Sequence, residues 1–407
     1  MRKKIEKEIV KDSSPGYPYA VLGGTNKVVL EKHGDYIWDL VLWRLNQMVK
    51  HRGDYHNMTP EQLIRAGLCD PVKGFIKDEP HNEEKVRTGR LRMIASVSLV
   101  DQIIERLLFS IQNKNEIEMW EFCPSKPGLG LHDEGLLAVA DSLKRLLRLR
   151  GEVMCTDVSG WDWSVQDWEL RADAECRWRL AGVRENSLFA FLCRVNAKCV
   201  ANSVYVDLEG NLWAQTMAGV QNSGRYCTSS SNSRMRVIAS MAARVEVTGE
   251  ALVDGKIGVD AMGDDSVEVS LKGVKEVMEE FGHVIKHVEV HHSLEGIDFC
   301  SHVFNDAGFA APTNPSKTAY RFFSRKTSEI ETLDLWTQLS WFLRHASDEV
   351  KENIEKHAMA RIVRAINLNG KEETKPGNSG SSAAEEGRWE TEQEKSEFGT
   401  CQRDWAI

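Results

Sequence analysis

The chain has no Cys-X-X-Cys pair among its nine cysteines, no apolar run long enough to cross a bilayer, and no surplus of positive charge. Each absence removes a class of protein. Scattered thiols, several of them (Cys155, Cys193, Cys227, Cys300) in apolar surroundings, suit reduced packing residues and argue against a disulfide framework. The longest apolar run, residues 188–193, falls far short of the roughly 20 residues that a membrane helix needs. The N-terminus is charged without an apolar signal core, so any membrane association has to come through a partner. A formal charge of −9 argues against indiscriminate nucleic-acid binding. Residues 371–407, however, hold nine acidic against five basic side chains, which leaves room for a locally basic channel elsewhere. With 407 residues and 42% hydrophobic content, the chain can bury a large core as one multi-lobed enzyme or two to three subdomains.

What the chain does have is a sharply placed acidic stretch, Gly263-Asp264-Asp265, with alternating apolar residues on both sides: Val259 and Ala261 before, Val267 and Val269 after. This pattern predicts two short strands meeting at a Gly-Asp turn. Adjacent carboxylates repel unless a cation or donor lies between them, so an acidic tip invites a metal; plain hairpin turn chemistry is the competing account. A second strand pattern, residues 151–157, ends in Asp157, followed by a glycine turn and Asp162. A strand-end acid projects beyond the sheet edge, where ligands bind. For Asp162, the N-cap of the helix expected over 165–180 is the competing account.

Further polar segments surround these acids. Residues 73–92 are rich in Lys and Arg (Lys73, Lys77, Lys85, Arg87, Arg90, Arg92), interrupted by acids, and read either as a solvated hairpin or as a cationic strand facing a triphosphate. From Ser223-Gly224 a run of small polar residues leads into Thr228 and Asn232, four apart and on one helix face; the apolar continuation Met235, Val237, Ile238, Met241 favours a helix over a linker. His283, His287, His291 and His292 raise a zinc site, but no cysteine stands beside them at tight spacing, and surface or strand positions are the expectation. Residues 13–19 carry two prolines and a glycine and form an extended loop. Helices are expected over 35–50, 99–112, 134–149 and 274–281, from Thr59-Pro60, and as a pair over 328–368; residues 299–304 read as a strand. Beyond residue 369 the composition predicts disorder.

The order of these segments resembles viral RNA-dependent RNA polymerases of positive-strand viruses. Asp157 and Asp162 match that family's motif A; Ser223, Gly224, Thr228 and Asn232 match motif B; Asp264 and Asp265 match motif C. Lys77-Asp78-Glu79 with Lys85 and Arg92 looks like motif F, Ser14-Pro15-Gly16-Tyr17-Pro18 like motif G, Lys286 like the motif D lysine, and Phe299-Cys300-Ser301 like motif E. The resemblance spans residues 13 to about 305, and Trp161-Asp162-Trp163-Ser164 with the motif E element looks most like sobemovirus- and polerovirus-type polymerases.

The resemblance implies an α+β right-hand fold with an antiparallel palm sheet backed by helices and closed by fingertips. Fingers would take residues 1–150 and 165–215, palm 151–164 and 216–304, thumb 305–370, with a disordered acidic tail at 371–407. It implies template-directed RNA synthesis with two Mg²⁺ ions, Mn²⁺ being a substitute. Asp157, Asp264 and Asp265 would hold metal, and Lys286 would protonate pyrophosphate. Lys77, Lys85 and Arg92 would hold the triphosphate, Asp162, Ser223, Gly224, Thr228 and Asn232 the nucleotide, and Ser14, Gly16 and Pro18 would lie on the template path. Implied partners are template and product RNA, NTPs, a genome-linked protein primer and other viral replication proteins. The implied location is the host cytoplasm, in membrane-associated replication complexes held through partners. Two rivals stay open: a non-catalytic RNA-binding subunit that keeps the scaffold, and untemplated terminal nucleotidyl transfer.

Overall fold

The computed structural model describes residues 1–77, 83–324 and 329–372. Asp78 and Glu79 of the basic segment, and residues 373–407 of the tail, lie outside the described residues. Among the described residues the strands are β1 (Val72–Ile76), β2 (Met93–Ser96), β3 (Val153–Val158), β4 (Val204–Val206), β5 (Leu212–Ala214), β6 (Val259–Met262), β7 (Asp265–Val269), β8 (Ile285–His291), β9 (Asp298–Phe299), β10 (His302–Phe304) and β11 (Ala310–Pro312). They form three sheets, ordered β2-β1-β4-β5, β6-β7-β3-β8 and β11-β10-β9. All pairings are antiparallel except β1 with β4.

The central sheet, β6-β7-β3-β8, is a two-sided wall whose sidedness follows from strand alternation. Val153 and Cys155 of β3, with Val267 and Val269 of β7, pack with Leu136, Val139, Ala140, Leu143 and Leu146 of the helix Asp133–Arg150. Met154 and Val158 point the other way and pack with Met235, Ala239 and Ala243 of the helix Thr228–Thr248. Leu143 is fully buried, so truncating it to Ala should cost about 2–5 kcal/mol. Gly151, at φ +80°, ends the first of these helices and turns the chain into β3.

Helix starts follow their caps. Thr59 and Gln62 form a capping box ahead of Pro60–Arg65, and Thr25 caps Asn26–Lys50, which begins nine residues before the expected 35. The other expected helices are present as Leu99–Glu118, Asp133–Arg150, Asp167–Leu180, Val274–Glu280, Glu329–Phe342 and Asp348–Glu372. The expected strand over 299–304 is instead β9 and β10, folded back on each other, because Cys300 and Ser301 take φ of +55° and +58°. Alternating residues suit a strand and a tight hairpin equally well, and the sequence does not separate the two. Beyond β11, Phe322, Leu339, Leu343, Ala358 and Ile362 bind the C-terminal helices into a small core of their own.

Candidate active site

The central sheet brings the two acidic segments together by register alone. β3 and β7 pair Cys155 with Val267 and Thr156 with Ser266, so one step further Asp157 and Asp265 face each other on the same side of the sheet. Asp157 pairs with His287 of β8, and the register then shifts, so this acid stands where the ladder is disturbed. Between β6 and β7, Met262 pairs with Asp265 across a two-residue turn of Gly263 and Asp264. Gly263 holds φ +66°, open to glycine and costly for other residues.

Electrostatics mark this corner as unfinished. Burial pushes the Asp265 carboxyl up to about 7; the charges of Asp264, Asp298 and Asp157 add to the rise, and the guanidinium of Arg236 opposes it. Lys286 on β8 reaches across with its Nζ 3.1 Å from Asp157 Oδ2, and both side chains are about half exposed (50% and 52%). An ammonium thus occupies ground that the carboxylates offer to any cation. The donors are hard oxygens at one sheet edge, the chemistry that Mg²⁺ prefers. Among the described residues no three or more acid, histidine or cysteine side chains are gathered into a cage able to hold an ion by themselves. Mg²⁺, which keeps waters and takes substrate phosphates as ligands, does not require such a cage.

Beside the acids, Asn232 Nδ2 donates to Asp162 Oδ1 at 2.9 Å. Asn232 Oδ1 is buried without a hydrogen-bond partner. Burial raises the Asp162 carboxyl; the bond from Asn232 opposes this, Asp264 adds to it and Arg92 lowers it, which places Arg92 within electrostatic reach of the pair. Asp162 lies within the single-turn helix Trp161–Ser164 and is not the cap of Asp167–Leu180, which Gln166 starts.

The remaining candidates are distributed around this centre. The amide of Ala95 in β2 donates to Ser223 Oγ at 3.2 Å and its carbonyl accepts from Gly224 N at 2.9 Å, joining the glycine loop to the basic hairpin. A Cβ at Gly224 would lie 2.2 Å from Ala95 O, so no larger residue fits. The Thr228 hydroxyl lies 3.0–3.1 Å from the carbonyls of Asn222, Ser223 and Arg225 and holds that loop together. Lys77 N donates to Arg92 O at 2.8 Å across the β1–β2 hairpin, and Lys85 sits in the short helix Glu83–Arg87 between the strands. The loop of Ser14, Gly16 and Pro18 is fastened to the end of β2: Leu99 N donates to Pro15 O at 2.8 Å, and a Cβ on Gly16 would lie 2.8 Å from Val97 O.

Three residues of the site region escaped the sequence reading, and the setting of a fourth departs from it. Asp298 reaches the acid cluster from β9, one residue before the stretch singled out as a strand. Ser233 accepts the amide of Gly263 at 2.9 Å. Arg236, fully buried, donates to Thr156 Oγ1 and Glu268 Oε1 on the underside of the sheet. His283, expected at a surface or strand position, is instead fully buried before β8, stacked on Trp161 (centroids 4.7 Å apart) between Ser164 and Glu169, while His287 and His291 sit on β8 as expected. Only the tight spacing of polar residues around Asn232 hinted at any of the first three.

The family profile of viral RNA-directed RNA polymerases matches residues 1–329. The chain belongs to that family. The polymerase is 46% identical over 368 residues to the RNA-directed RNA polymerase of Mushroom bacilliform virus, covering 90% of this chain and 87% of that one. It is 37% identical to replicase polyprotein P2AB of Southern cowpea mosaic virus (84% of this chain, 36% of that one) and 39% identical to protein P1-P2 of Potato leafroll virus (76% and 28%). These relatives agree with the sobemovirus- and polerovirus-type resemblance. The polymerase thus spans about a third of those two longer proteins. As an RNA-directed RNA polymerase it takes RNA and nucleoside triphosphates as substrates and serves viral RNA replication. None of its described helices is long and apolar enough to cross a membrane.

Proposed function

We propose that this chain copies viral RNA by two-metal nucleotidyl transfer, with Asp157 and Asp264 as the carboxylates that would hold the metal ions and Asp265 in support. The observation that carries this reading is the convergence of Asp157, Asp264 and Asp265 at one end of β3 and the β6–β7 turn, with Asp265 driven up to about 7 by burial and by its neighbours' charge. Bound Mg²⁺, or Mn²⁺ in its place, would lower the pKa of the attacking 3′-hydroxyl and neutralise the oxygens of departing pyrophosphate. Lys286, already against Asp157, is placed to deliver a proton to that leaving group. Lys77, Lys85 and Arg92 hold the triphosphate, Arg92 with a guanidinium suited to paired phosphate oxygens.

Asp162 and Asn232 read the ribose. Asn232 donates to Asp162 while its own Oδ1 waits for a donor, and a 2′-hydroxyl supplies one. A deoxynucleotide would leave that buried oxygen unpaired, a penalty that can reach several orders of magnitude. Ser223 and Gly224 seat the loop beneath the nucleotide and Thr228 fixes its shape; Ser14, Gly16 and Pro18 border the template path. In this reading fingers comprise residues 1–150 and 165–215, palm 151–164 and 216–304, and thumb 305–370, closed by fingertips. A genome-linked protein primer and other viral replication proteins are the partners, in membrane-associated complexes of the host cytoplasm.

The test is incorporation of labelled NTPs on homopolymer and heteropolymer RNA with Mg²⁺, wild type beside Asp264→Ala. Wild type should extend in a template-dependent manner, and Asp264→Ala should fall by about 10³-fold or more with its unfolding curve unchanged. Retention of a tenth of the activity refutes the role of Asp264, and template-independent addition refutes copying.

A further inference from the structure

The helix Thr228–Thr248 is polar where it meets the acid-bearing hairpin. Ser229, Ser233, Arg236 and Ser240 recur at intervals of four, three and four and so share one face. Each has a partner that fixes the sheet or the helix. Ser229 Oγ lies 3.9 Å from the sulfur of Met262, and Arg236 bonds Ser240 on its own helix as well as Thr156 and Glu268 on the sheet. Thr156 in turn bonds Ser266 at 3.0 Å, so the residues beside Asp157 and Asp265 are clamped from below.

Ser233 is the member that touches the catalytic turn itself. It is fully buried, its hydroxyl donates to Ser229 O at 2.8 Å, and it accepts the backbone N–H of Gly263 at 2.9 Å. That amide precedes Asp264 by one residue. Without the serine oxygen, the amide of a two-residue turn loses its anchor to the helix that carries Asn232. We propose that Ser233 is a positioning residue for the metal-binding turn, holding Gly263 so that the Asp264 and Asp265 carboxylates are set before the cations and nucleotide arrive. Ser233 touches neither substrate nor metal and acts through Gly263. This rests on the assignment of Asp264 and Asp265 as metal carboxylates.

The geometry separates this role from mere packing. Ser230, three residues before it on the same helix, is also buried but faces away, donating to Asn113 Oδ1 at 3.1 Å and accepting from Arg177 at 3.0 Å. Removing either hydroxyl takes at least two buried hydrogen bonds from the same helix. Only one of the two should move the chemistry.

The experiment uses the full chain, measuring kcat and KM for NTP on a primed RNA template, the Mg²⁺ concentration giving half-maximal rate, and thermal unfolding. The variants are Ser233→Ala, Ser233→Cys, Ser233→Thr and Ser230→Ala. Ser233→Ala should lower kcat about tenfold and raise the Mg²⁺ requirement about threefold, with KM within about twofold. Ser233→Thr, which keeps the acceptor oxygen, should recover most of the rate, and Ser233→Cys, a weak acceptor, should fall between. Ser230→Ala should keep wild-type kcat and Mg²⁺ dependence. The proposal is overturned if kcat of Ser233→Ala stays within twofold of wild type, or if Ser230→Ala loses rate and Mg²⁺ response to the same extent. Where Ser233→Ala does not fold, equal rates for Ser233→Cys and Ser233→Thr overturn it instead. Asp264→Ala runs alongside: activity in that variant removes the metal assignment itself, whatever the serine variants do.

Discussion

Two enclosed aspartates on opposite sides of one helix have opposite fates. Asp173 is packed against one side of Thr228–Thr248 and Asp265 lies over the sheet on the other. Burial alone would raise Asp173, but Arg177 and Arg234, with the hydroxyl of Ser231, bring its carboxyl well below the usual range. Arg177 spends its other donors on Asn113, Ser230 and Ser231 and stacks on Phe109 at 4.5 Å, so the network is closed. Asp265 faces three more carboxylates and one guanidinium beneath the sheet, and it rises to about 7. A completed network stabilises the fold, whereas the acid corner is charged beyond what the chain itself neutralises. Such a corner marks a place where the protein expects a ligand to supply the missing charge.

The comparison breaks most visibly if the closed network is opened. Asp173→Asn strips Arg177 of its paired carboxylate and leaves Arg234 with Glu116 alone, and the fold should lose about 3 kcal/mol, read as a shift in urea midpoint at unchanged slope. Specific activity per folded molecule should hold, because no atom of Asp173 faces the acid corner. A loss below 1 kcal/mol would place Asp173 among incidental ion pairs and remove the contrast. Its pH signature also has a fixed sign. A depressed carboxyl contributes stability above its unfolded value near 4, and that contribution drains away as pH falls toward the folded value.

Asp265 should do the reverse. The unfolded chain gives up this proton near pH 4 while the folded chain keeps it to about 7, so its contribution falls as pH rises from 4 to 7 and is flat above. Asp265→Asn should therefore be more stable than wild type at pH 8 by about 1–2 kcal/mol and indistinguishable at pH 4, in metal-free buffer. Millimolar Mg²⁺ with NTP should narrow the gap by stabilising wild type alone. A variant less stable than wild type at pH 8 would mean that Asp265 is held by donors and belongs with Asp173.

How far the sequence carried depended on whether a residue's role was local. The β6–β7 turn was readable because Gly263 sits between alternating apolar residues, and Asp157 because it closes an apolar run before a glycine. The pairing of Asp162 with Asn232, 70 positions apart, came through resemblance and has its geometric counterpart in one 2.9 Å bond. Asp298, Ser233 and Arg236 stayed invisible, and the burial of His283 unforeseen, for a different reason. Their partners are Asp265, Gly263, Thr156 and Trp161, and only tertiary packing brings those near. The serine run 229–231 shows the limit well: read as composition it fits a linker, yet in place Ser230 and Ser231 bond the buried charge network beside Asp173. The fold-back at Cys300 and Ser301 was missed because neither residue type announces a positive φ.

Asp157 sharpens the contrast by belonging to neither kind of acid. It is about half exposed, its cation is Lys286 at 3.1 Å, and water screens both. A pair of this kind is worth little to the fold, so Lys286→Met should change unfolding free energy by less than about 0.5 kcal/mol at physiological salt. Its effect should appear in turnover. If the ammonium delivers the proton to departing pyrophosphate, the single-turnover rate of incorporation should fall about 10²-fold. A destabilisation above 1 kcal/mol with an unaltered rate would make the contact a structural clamp on β8, and Asp157 would then have a partner of its own before any metal arrives.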